Sequence, residues 1–370
     1  IPQSLTPRQR RRLIVHLLAI FVVAVVLRWS YLTGYSLDME YNMSQFHRFQ
    51  ATSPLLFGDG ELYFKEARQF ALTGSLGLPY RPPMTNIFLA LAMKVGSFNY
   101  LTAHIWNVIL GALVPVLFGL LGTRWFSYRT GVITGWLTTA AFPLIILSGT
   151  LTSETLLLVL LPTALLLLER SGPKAMALSG IFMGLAILTR VETALFFLIV
   201  LIWQIVIRRD MPLKRRLLVP LCLVLTILPW SIRNSVLLHD QYPQWPIQRK
   251  IVPISANGSL NFYLGNGPMA SGGYRSFTRS NSGILKNDTI DFNDPIHNAA
   301  FFDGYQEVFD YHYVYPGRLL PLMKNKFRFY TRGYRVGLGV TNAPWGLRGP
   351  MRRGDIWTTE NRTAAIVFLV

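Results

Sequence analysis

Long apolar runs separated by short polar or basic segments dominate the N-terminal part of the chain. The first run, residues 13–27, directly follows a cluster of four arginines between residues 8 and 12. Further apolar runs occupy residues 100–122, 129–149, 154–169 and 213–231. A helix of roughly 17–25 apolar residues crosses the hydrocarbon core of a bilayer. The pattern therefore predicts an all-α polytopic membrane protein.

Residues 175–207 form one longer apolar stretch, which Arg190 and Glu192 interrupt. A single helix over this stretch would be about 50 Å long, whereas the hydrocarbon core is about 30 Å thick. It would also place the basic residues of segment 208–216 on the external side, although Lys and Arg favour the cytoplasmic side. We therefore predict two short spans that meet at the external sequence TRVET.

The lengths of the runs and the positions of the basic residues predict the arrangement of the whole chain. Residues 1–33 form a first transmembrane helix with a cytoplasmic N-terminus, because the arginine cluster precedes the run. Residues 34–99 form an external loop, in which the apolar segment 84–96 is too short to span and lies at the membrane interface. The remaining sections are six transmembrane helices in residues 100–232, an external C-terminal segment at 233–363 with helices near 299–313 and 316–333, and the truncated start of a further span at 364–370.

Composition agrees with this arrangement and excludes several classes of site. Of the 370 residues, 51% are hydrophobic and 15% are charged, and the net charge is +18. The basic residues alternate with the apolar runs instead of forming one stripe, which favours contact with membrane lipids and argues against nucleic acid as a partner. Cys222 is the only cysteine, so a disulfide within the chain and a cysteine-based metal site are excluded. The six histidines show no paired ligand spacing.

Candidate chemistry begins in the first external loop. Asp59 precedes residues at helical spacing, Tyr63, Ala67 and Phe70, so it either starts a helix as its cap or acts in chemistry. Arg81 stands before two prolines, and a residue before proline is held out of the helical region. An extended arginine near the membrane surface suits either a substrate phosphate or a lipid headgroup.

Three further charges lie at the predicted external ends of later spans. Glu154 starts a helix, where it either complements the helix dipole or supports catalysis. Arg190 pairs with Glu192 or binds a lipid phosphate, since a charge on so short a turn usually has a partner. Arg233 binds phosphate or anchors the interface beside Trp230. The order of the spans places all these charges, with those of the first loop, on one external face.

Carboxylates and arginines on one aqueous face predict transfer chemistry on a lipid-linked phosphate. A carboxylate can accept the proton of an attacking hydroxyl as a general base. Arginines can neutralise the phosphate as it departs and its negative charge grows.

Several of these segments occur in the same order in one superfamily of membrane enzymes. They are the pattern of Asp59, Tyr63 and Arg81-Pro82-Pro83, the sequences LTSETLL with Glu154, LAILTRVE with Arg190 and LPWSIRN with Arg233, and residues 252–274. On these segments the chain resembles the GT-C superfamily of membrane glycosyltransferases, in particular the bacterial branch similar to protein O-mannosyltransferases and the lipid A aminoarabinose transferase. The resemblance implies a GT-C-type transmembrane helix bundle with external loop helices and a mixed external C-terminal segment.

The resemblance also implies the reaction, which is an inverting transfer of a sugar from a polyprenyl-phosphate donor to a hydroxyl of a glycan, lipid or protein. It makes Asp59 the catalytic base, gives Glu154 a role in support of the acceptor or of the base, and places Arg81 and Arg190 on the donor phosphate. Tyr63 and Arg233 become further substrate-binding residues. The enzyme would lie in the inner membrane, with its active site facing the periplasm.

No cofactor is predicted, since arginines can replace a metal ion in hydroxyl chemistry, although some relatives that glycosylate amides use a divalent metal. Two non-catalytic functions stay open as alternatives. One is a transporter of polyprenyl-phosphate lipid carriers, and the other is an accessory subunit that keeps the fold without catalysis.

Overall fold

The computed structural model describes residues 5–43, 59–170, 172–207, 211–273 and 292–331. These residues form helices joined by turns, and no β-strand occurs among them. By their contacts the residues divide into two compact units, Ile1–Ile254 and Ser255–Val370. The predicted all-α architecture is confirmed. The predicted span at 364–370 and parts of the predicted external segment lie outside the described residues.

The first unit contains the helices that the sequence predicts as spans. In chain order its α-helices are α1 (Pro7–Met43), α2 (Asp59–Thr73), α3 (Met84–Val95), α4 (Tyr100–Trp125), α5 (Tyr128–Ala140), α6 (Phe142–Gly149), α7 (Ser153–Leu168), α8 (Pro173–Ile187), α9 (Thr193–Ile202), α10 (Leu213–Gln241) and α11 (Ile247–Lys250). The helix α9 continues into a π-helical turn at Trp203–Ile207. The helix α1 passes its predicted end at residue 33, because no proline follows Pro7 to interrupt it.

Among the described residues, three helices are long and apolar enough to cross a membrane, namely Pro7–Thr33 of α1, α4 and α10. Shorter apolar helices accompany them: α3, α7, α8, and α9 with its π-helical turn. The chain is therefore a polytopic membrane protein, as predicted. The total of six spans within residues 100–232 stays a prediction.

The predicted span at 129–149 is bent by 56° between α5 and α6. Pro143 lies in the first turn of α6. It has no N–H to donate to the carbonyl of Thr139, and in a continuous helix its ring would collide with that carbonyl. Ala141 leaves the helical region, with a ψ of 104°. The bend was not predicted, although Pro143 is its signal in the sequence.

A break separates α8 from α9 at the position that the sequence predicts. The helix α8 ends at Ile187 and α9 begins at Thr193. In the turn between them, the carbonyl of Arg190 accepts a hydrogen bond of 2.7 Å from the Thr193 hydroxyl and one of 3.2 Å from its backbone N–H. The interruption predicted at TRVET is confirmed, and it leaves the Arg190 side chain outside both helices.

A glycine lets α8 pack closely against α10. A Cβ atom added at Gly184 would lie 2.7 Å from the Cβ atom of Thr226, which is closer than real side chains approach. Small residues allow such close contact between membrane helices. The interface adjoins a buried apolar core that includes Met183, Phe197 and Val219. This packing fixes the C-terminal end of α8 and hence the turn that carries Arg190.

The second unit is also helical over its described residues. Its α-helices are α12 (Asn257–Asn266), α13 (Pro295–Asn298), α14 (Gly304–Val314) and α15 (Leu319–Thr331). A π-helical turn at Ala299–Asp303 joins α13 to α14, and a 3-10 turn at Pro316–Arg318 precedes α15. Helices are therefore present at both predicted positions, near 299–313 and 316–333.

Candidate active site

The helix α2 positions the first two candidate residues. Asp59 is its first residue, and one face of the helix is buried through Tyr63, Phe64 and Ala67. This face packs against an apolar cluster that includes residues of α3 and Leu151, which lies before α7. Asp59 therefore stands at the exposed end of a helix that is anchored by its buried face, and a carboxylate is favoured there by the helix dipole.

Asp59 forms an ion pair with Arg81, which lies on the loop between α2 and α3. The distance from Nη2 of Arg81 to Oδ1 of Asp59 is 3.2 Å. The guanidinium carbon lies 5.4 Å from the ring centroid of Tyr63 and 5.6 Å from that of Tyr80. The Arg81 side chain is 18% exposed and that of Asp59 is 67% exposed. The Nη1 atom of Arg81 is buried and has no hydrogen-bond partner among the described residues.

A second ion pair joins Glu154 in the first turn of α7 to Arg190 in the turn between α8 and α9. Nη1 of Arg190 donates to Oε1 of Glu154 in a close contact, and it lies 3.3 Å from the hydroxyl of Ser153. Nε of Arg190 lies 3.8 Å from Oε2 of Glu192, whose side chain is 71% exposed. The sequence offered Glu192 or a lipid phosphate as the partner of Arg190. The closest partner is instead Glu154, 36 positions away in the chain.

Tyr63 links the two ion pairs. Burial raises the pKa of Tyr63, and the charges of Asp59 and Glu154 act in the same direction. The charge of Arg81 and a hydrogen bond with the hydroxyl of Ser153 act against this rise. One tyrosine thus lies within electrostatic reach of carboxylates from both pairs.

Backbone contacts support the same arrangement. A Cβ atom added at Gly60 of α2 would lie 3.5 Å from the backbone nitrogen of Leu151. The backbone N–H of Met84, at the start of α3, donates a hydrogen bond of 3.1 Å to the carbonyl of Leu188. The Arg81 loop therefore adjoins the Arg190 turn, and the start of α2 adjoins the segment before α7.

The turn between α6 and α7 is held by polar groups of α4 and α1. The side-chain nitrogen of Asn107 in α4 lies 2.6 Å from the carbonyl oxygen of Thr150 and 2.9 Å from that of Ser148. Nε of Arg28 in α1 donates to the Ser148 hydroxyl at 3.0 Å. Asn107 and Arg28 are both buried. Because α7 starts three residues after Thr150, these contacts help to set the position of Glu154.

Arg233 lies apart from the two ion pairs. Its Nη2 atom donates a hydrogen bond of 2.5 Å to the carbonyl of Gly77, and its guanidinium carbon lies 4.7 Å from the ring of Trp230. Within the described residues no hydrogen bond or ion pair joins Arg233 to the side chains of either pair. It ties the loop that carries Arg81 to α10. The structure therefore brings five of the six predicted site residues together. The sixth, Arg233, instead contacts the loop that carries Arg81.

A third polar group next to Arg81 was not predicted. Glu66 of α2 accepts hydrogen bonds from the hydroxyl of Tyr80, in a short contact, and from the side-chain nitrogen of Asn86 at 2.6 Å. Burial raises the pKa of Tyr80 well above its usual range, and the Glu66 charge adds to the rise. Glu66 lies three residues after Tyr63 and seven after Asp59, so helical spacing was the available signal.

The described residues contain no group of three or more His, Cys, Asp or Glu side chains that could hold a metal ion. The reaction predicted from the resemblance needs no cofactor, and this stays a prediction.

Comparison with known proteins identifies a family for part of the chain. Residues 80–232 match the family described as dolichyl-phosphate-mannose-protein mannosyltransferase. This range contains Arg81, Glu154 and Arg190 and ends one residue before Arg233, whereas Asp59 and Tyr63 precede it. No curated protein and no solved structure matches the chain. Over residues 80–232 the match confirms the resemblance to the GT-C superfamily and supports a membrane glycosyltransferase of the GT-C kind.

Proposed function

We propose that the chain is an inverting glycosyltransferase that moves a sugar from a polyprenyl-phosphate donor to a hydroxyl of a glycan, lipid or protein. The reaction takes place on the external, periplasmic face of the inner membrane. The observation that carries this proposal is the grouping of two arginine–carboxylate pairs around Tyr63. It supplies a base and two fixed positive charges to one small region.

The arginines suit the charge that develops on the donor phosphate. A polyprenyl-phosphate sugar carries one negative charge on its phosphodiester, and the departing polyprenyl phosphate gains a second as the bond to the sugar breaks. Guanidinium groups that are already in place stabilise such growing charge without reorganisation. Arg81 contacts Asp59 through Nη2 and is partly exposed, and Arg190 stands in a turn at the ends of two helices.

Asp59 takes the role of general base. The side chain of Asp59 is more exposed than that of Glu154, so an acceptor hydroxyl can approach Asp59 from solvent. The acceptor oxygen forms a bond to the anomeric carbon, the proton passes to Asp59, and the bond to the phosphate oxygen breaks with its electron pair on the phosphate. Inversion requires base and phosphate on opposite faces of the sugar. We therefore assign the departing oxygen to Arg190 and a second phosphate oxygen to Arg81.

Glu154 supports this arrangement by holding Arg190. The carboxylate and the Ser153 hydroxyl both contact Nη1 of Arg190, which fixes the direction of the guanidinium before the donor arrives. The description of the matching family names dolichyl-phosphate mannose, so a mannosyl donor is the first to test.

The substitution Asp59→Asn tests the enzyme against the transporter. The purified protein is supplied with polyprenyl-phosphate mannose and envelope extract as acceptor, and released polyprenyl phosphate is measured along with donor retention by mass spectrometry. Loss of a general base is expected to lower turnover about 10²–10⁴-fold. Donor retention is expected to persist, because the arginines remain.

Asp240→Asn provides the matched control. Asp240 is exposed in α10, and the same change there is expected to leave turnover unaltered. Unchanged turnover in the Asp59→Asn protein would contradict a catalytic base at this position. A wild-type protein that retains the donor but releases no polyprenyl phosphate with any acceptor would favour the transporter or the accessory subunit.

A further inference from the structure

A surface cavity of about 370 Å³, which is largely open to its surroundings, lies where the start of α1 meets the start of α5. Its lining consists of Arg11, Arg12, Val15, His16 and Tyr128. The rings of His16 and Tyr128 stand edge to face, with their centroids 6.5 Å apart. Because the cavity is open, it suits a headgroup that is covered on one side only. Two arginines, a histidine and a tyrosine thus border a space of the size of a headgroup.

The charged side chains that line the cavity are arginines. No acidic residue occurs between residues 5 and 37 of the sequence, and none lies in the first turn of α5. Arg124 and Arg129 flank Tyr128 on the exposed surface. Among the described residues, no ion pair engages Arg11 or Arg12. Such a site favours a negatively charged ligand, and a phosphate group matches the two-pronged donor geometry of arginine.

An apolar surface adjoins the cavity along the membrane-spanning part of α1. Val15 lines the cavity and is 60% exposed, and the side chains of Leu18 and Val22 continue one face of the helix with exposures of 62% and 59%. These residues follow one another at helical spacing. A ligand with a charged head and long apolar chains fits this combination, because its chains can lie along the helix within the bilayer.

The cavity is remote from the candidate active site. The ring of Tyr100 at the start of α4 packs 3.9 Å from that of Phe64 in α2, next to the site. The other end of α4 is Trp125, three residues before Tyr128. With 26 residues, α4 is about 39 Å long, which exceeds the hydrocarbon core of about 30 Å. The two regions thus lie at opposite ends of a membrane-spanning helix.

We propose that this cavity binds the phosphate of an anionic membrane phospholipid in the leaflet opposite the active site. Arg11 and Arg12 contact the phosphate oxygens, His16 and Tyr128 form the wall of the headgroup pocket, and the acyl chains follow Val15, Leu18 and Val22. Basic pockets between membrane helices are known to select anionic headgroups in this way. The lipid stabilises α1 against α5 by neutralising charges that these helices bring together.

The test compares two double variants of the full-length protein that lose the same charge from the same helix. Arg11→Gln/Arg12→Gln removes the two arginines that line the cavity, and Arg8→Gln/Arg10→Gln removes two exposed arginines outside it. Each protein is purified from nanodiscs that contain phosphatidylglycerol and phosphatidylcholine, and retained lipid is measured by native mass spectrometry. The cavity variant is expected to retain about tenfold less phosphatidylglycerol than wild type, a loss that corresponds to about 1.4 kcal/mol. The control is expected to retain as much as wild type.

Equal losses in the two variants would overturn the proposal, because they would show attraction to a diffuse basic surface. Displacement of phosphatidylglycerol by millimolar inorganic phosphate would overturn the assignment of a lipid in favour of free phosphate, whereas persistence of the lipid supports it. If the glutamine variant fails to insert, Arg11→Lys/Arg12→Lys decides, since it keeps the charge but loses the two-pronged geometry. Reduced retention then supports the proposal, and wild-type retention overturns it. None of these readouts depends on transferase activity.

Discussion

At the scale of single residues, both arginines of the candidate site already hold carboxylates. Arg81 contacts Asp59, and Arg190 contacts Glu154 more closely than Glu192. In the proposed mechanism a donor phosphate competes with protein carboxylates for the same guanidinium groups. Such competition would keep the arginines in position between reaction cycles and ease release of the charged product. Glu154 would therefore weaken donor binding, because it occupies Arg190, and speed transfer, because it orients the guanidinium group.

The substitution Glu154→Gln is therefore expected to strengthen donor binding while it slows transfer. Removal of the carboxylate frees Nη1 of Arg190 for phosphate, and because the pair is about one-third exposed the gain is limited to about fivefold in Kd. Transfer slows because the direction of the guanidinium is less well fixed. The measurements are the Kd for polyprenyl-phosphate mannose and the rate of a single turnover.

The control for this prediction is Glu192→Gln, which removes a carboxylate 3.8 Å from Nε of the same arginine. Its side chain is mostly exposed, so both quantities are expected to stay within about twofold of wild type. Weaker donor binding in the Glu154→Gln protein would contradict competition between carboxylate and phosphate.

At the scale of elements, the ends of helices and the turns between them build the site. Asp59 opens α2, Glu154 lies in the first turn of α7, and Arg190 separates α8 from α9. The turn before α7 depends on the side-chain nitrogen of Asn107, which lies within 3.3 Å of three carbonyl oxygens. The carbonyl of Leu147 also accepts from the hydroxyls of Thr150 and Thr155, so the buried amide matters most for the carbonyls of Ser148 and Thr150.

The substitution Asn107→Ala is expected to lower stability by about 1–3 kcal/mol, because buried carbonyl groups lose their donor. It is also expected to reduce kcat with little change in donor KM, since Glu154 shifts while Arg81 keeps its contacts. Thermal unfolding in detergent and steady-state kinetics measure the two effects.

Asn99→Ala is the matched control on the same helix. The side chain of Asn99 caps α4 by accepting from the backbone N–H of Thr102 at 2.9 Å, so its loss costs about 1 kcal/mol. It leaves the turn before α7 intact, and kcat is expected to stay unchanged. A loss of kcat that tracks stability equally in both variants would show that Asn107 has no positioning role.

Local sequence patterns predicted the helices better than they predicted which residues contact one another. Apolar runs identified the helices, and the charges of TRVET identified the break after α8, because both signals lie within a few residues. The pairing of Arg190 with Glu154 joins positions 36 residues apart, and the contact of Arg233 with Gly77 joins positions 156 residues apart. Such contacts depend on how the helices pack, which no local pattern encodes. The bend before Pro143 was within reach of the sequence and was missed.

At the scale of the whole molecule, the proposed mechanism requires the Arg81 loop and the Arg190 turn to face one compartment. The structure joins them through the hydrogen bond from Met84 to Leu188. The cavity at the start of α1 must then open on the other side, since α4 connects the two regions. This sidedness can be measured without knowledge of the substrate.

Labelling of single cysteines is expected to divide four exposed positions into two groups. After Cys222→Ser, an impermeant maleimide is expected to label Ser75→Cys and Glu192→Cys in intact spheroplasts. Phe126→Cys and Gly172→Cys are expected to react only after the membrane is permeabilised. All four residues are exposed, and an added Cβ at Gly172 meets nothing within 4 Å.

The parent Cys222→Ser protein, with no introduced cysteine, measures background labelling. Reaction of Ser75→Cys and Glu192→Cys from different sides would contradict a shared face for the two arginines and, with it, the proposed mechanism.

If the three consecutive helices α7, α8 and α9 cross the membrane as the sequence predicts, their short length has a consequence for the surrounding lipid. The helices α7 and α8 contain 16 and 15 residues, so each is about 22–24 Å long, and α9 with its π-helical turn is similar. A hydrophobic stretch shorter than the bilayer draws the leaflets together around it. The water boundary would then dip toward Glu154 and Arg190. A prenyl chain could stay in the hydrocarbon core while its sugar reached the aqueous phase. Local membrane thinning would thus help to present the donor to the site.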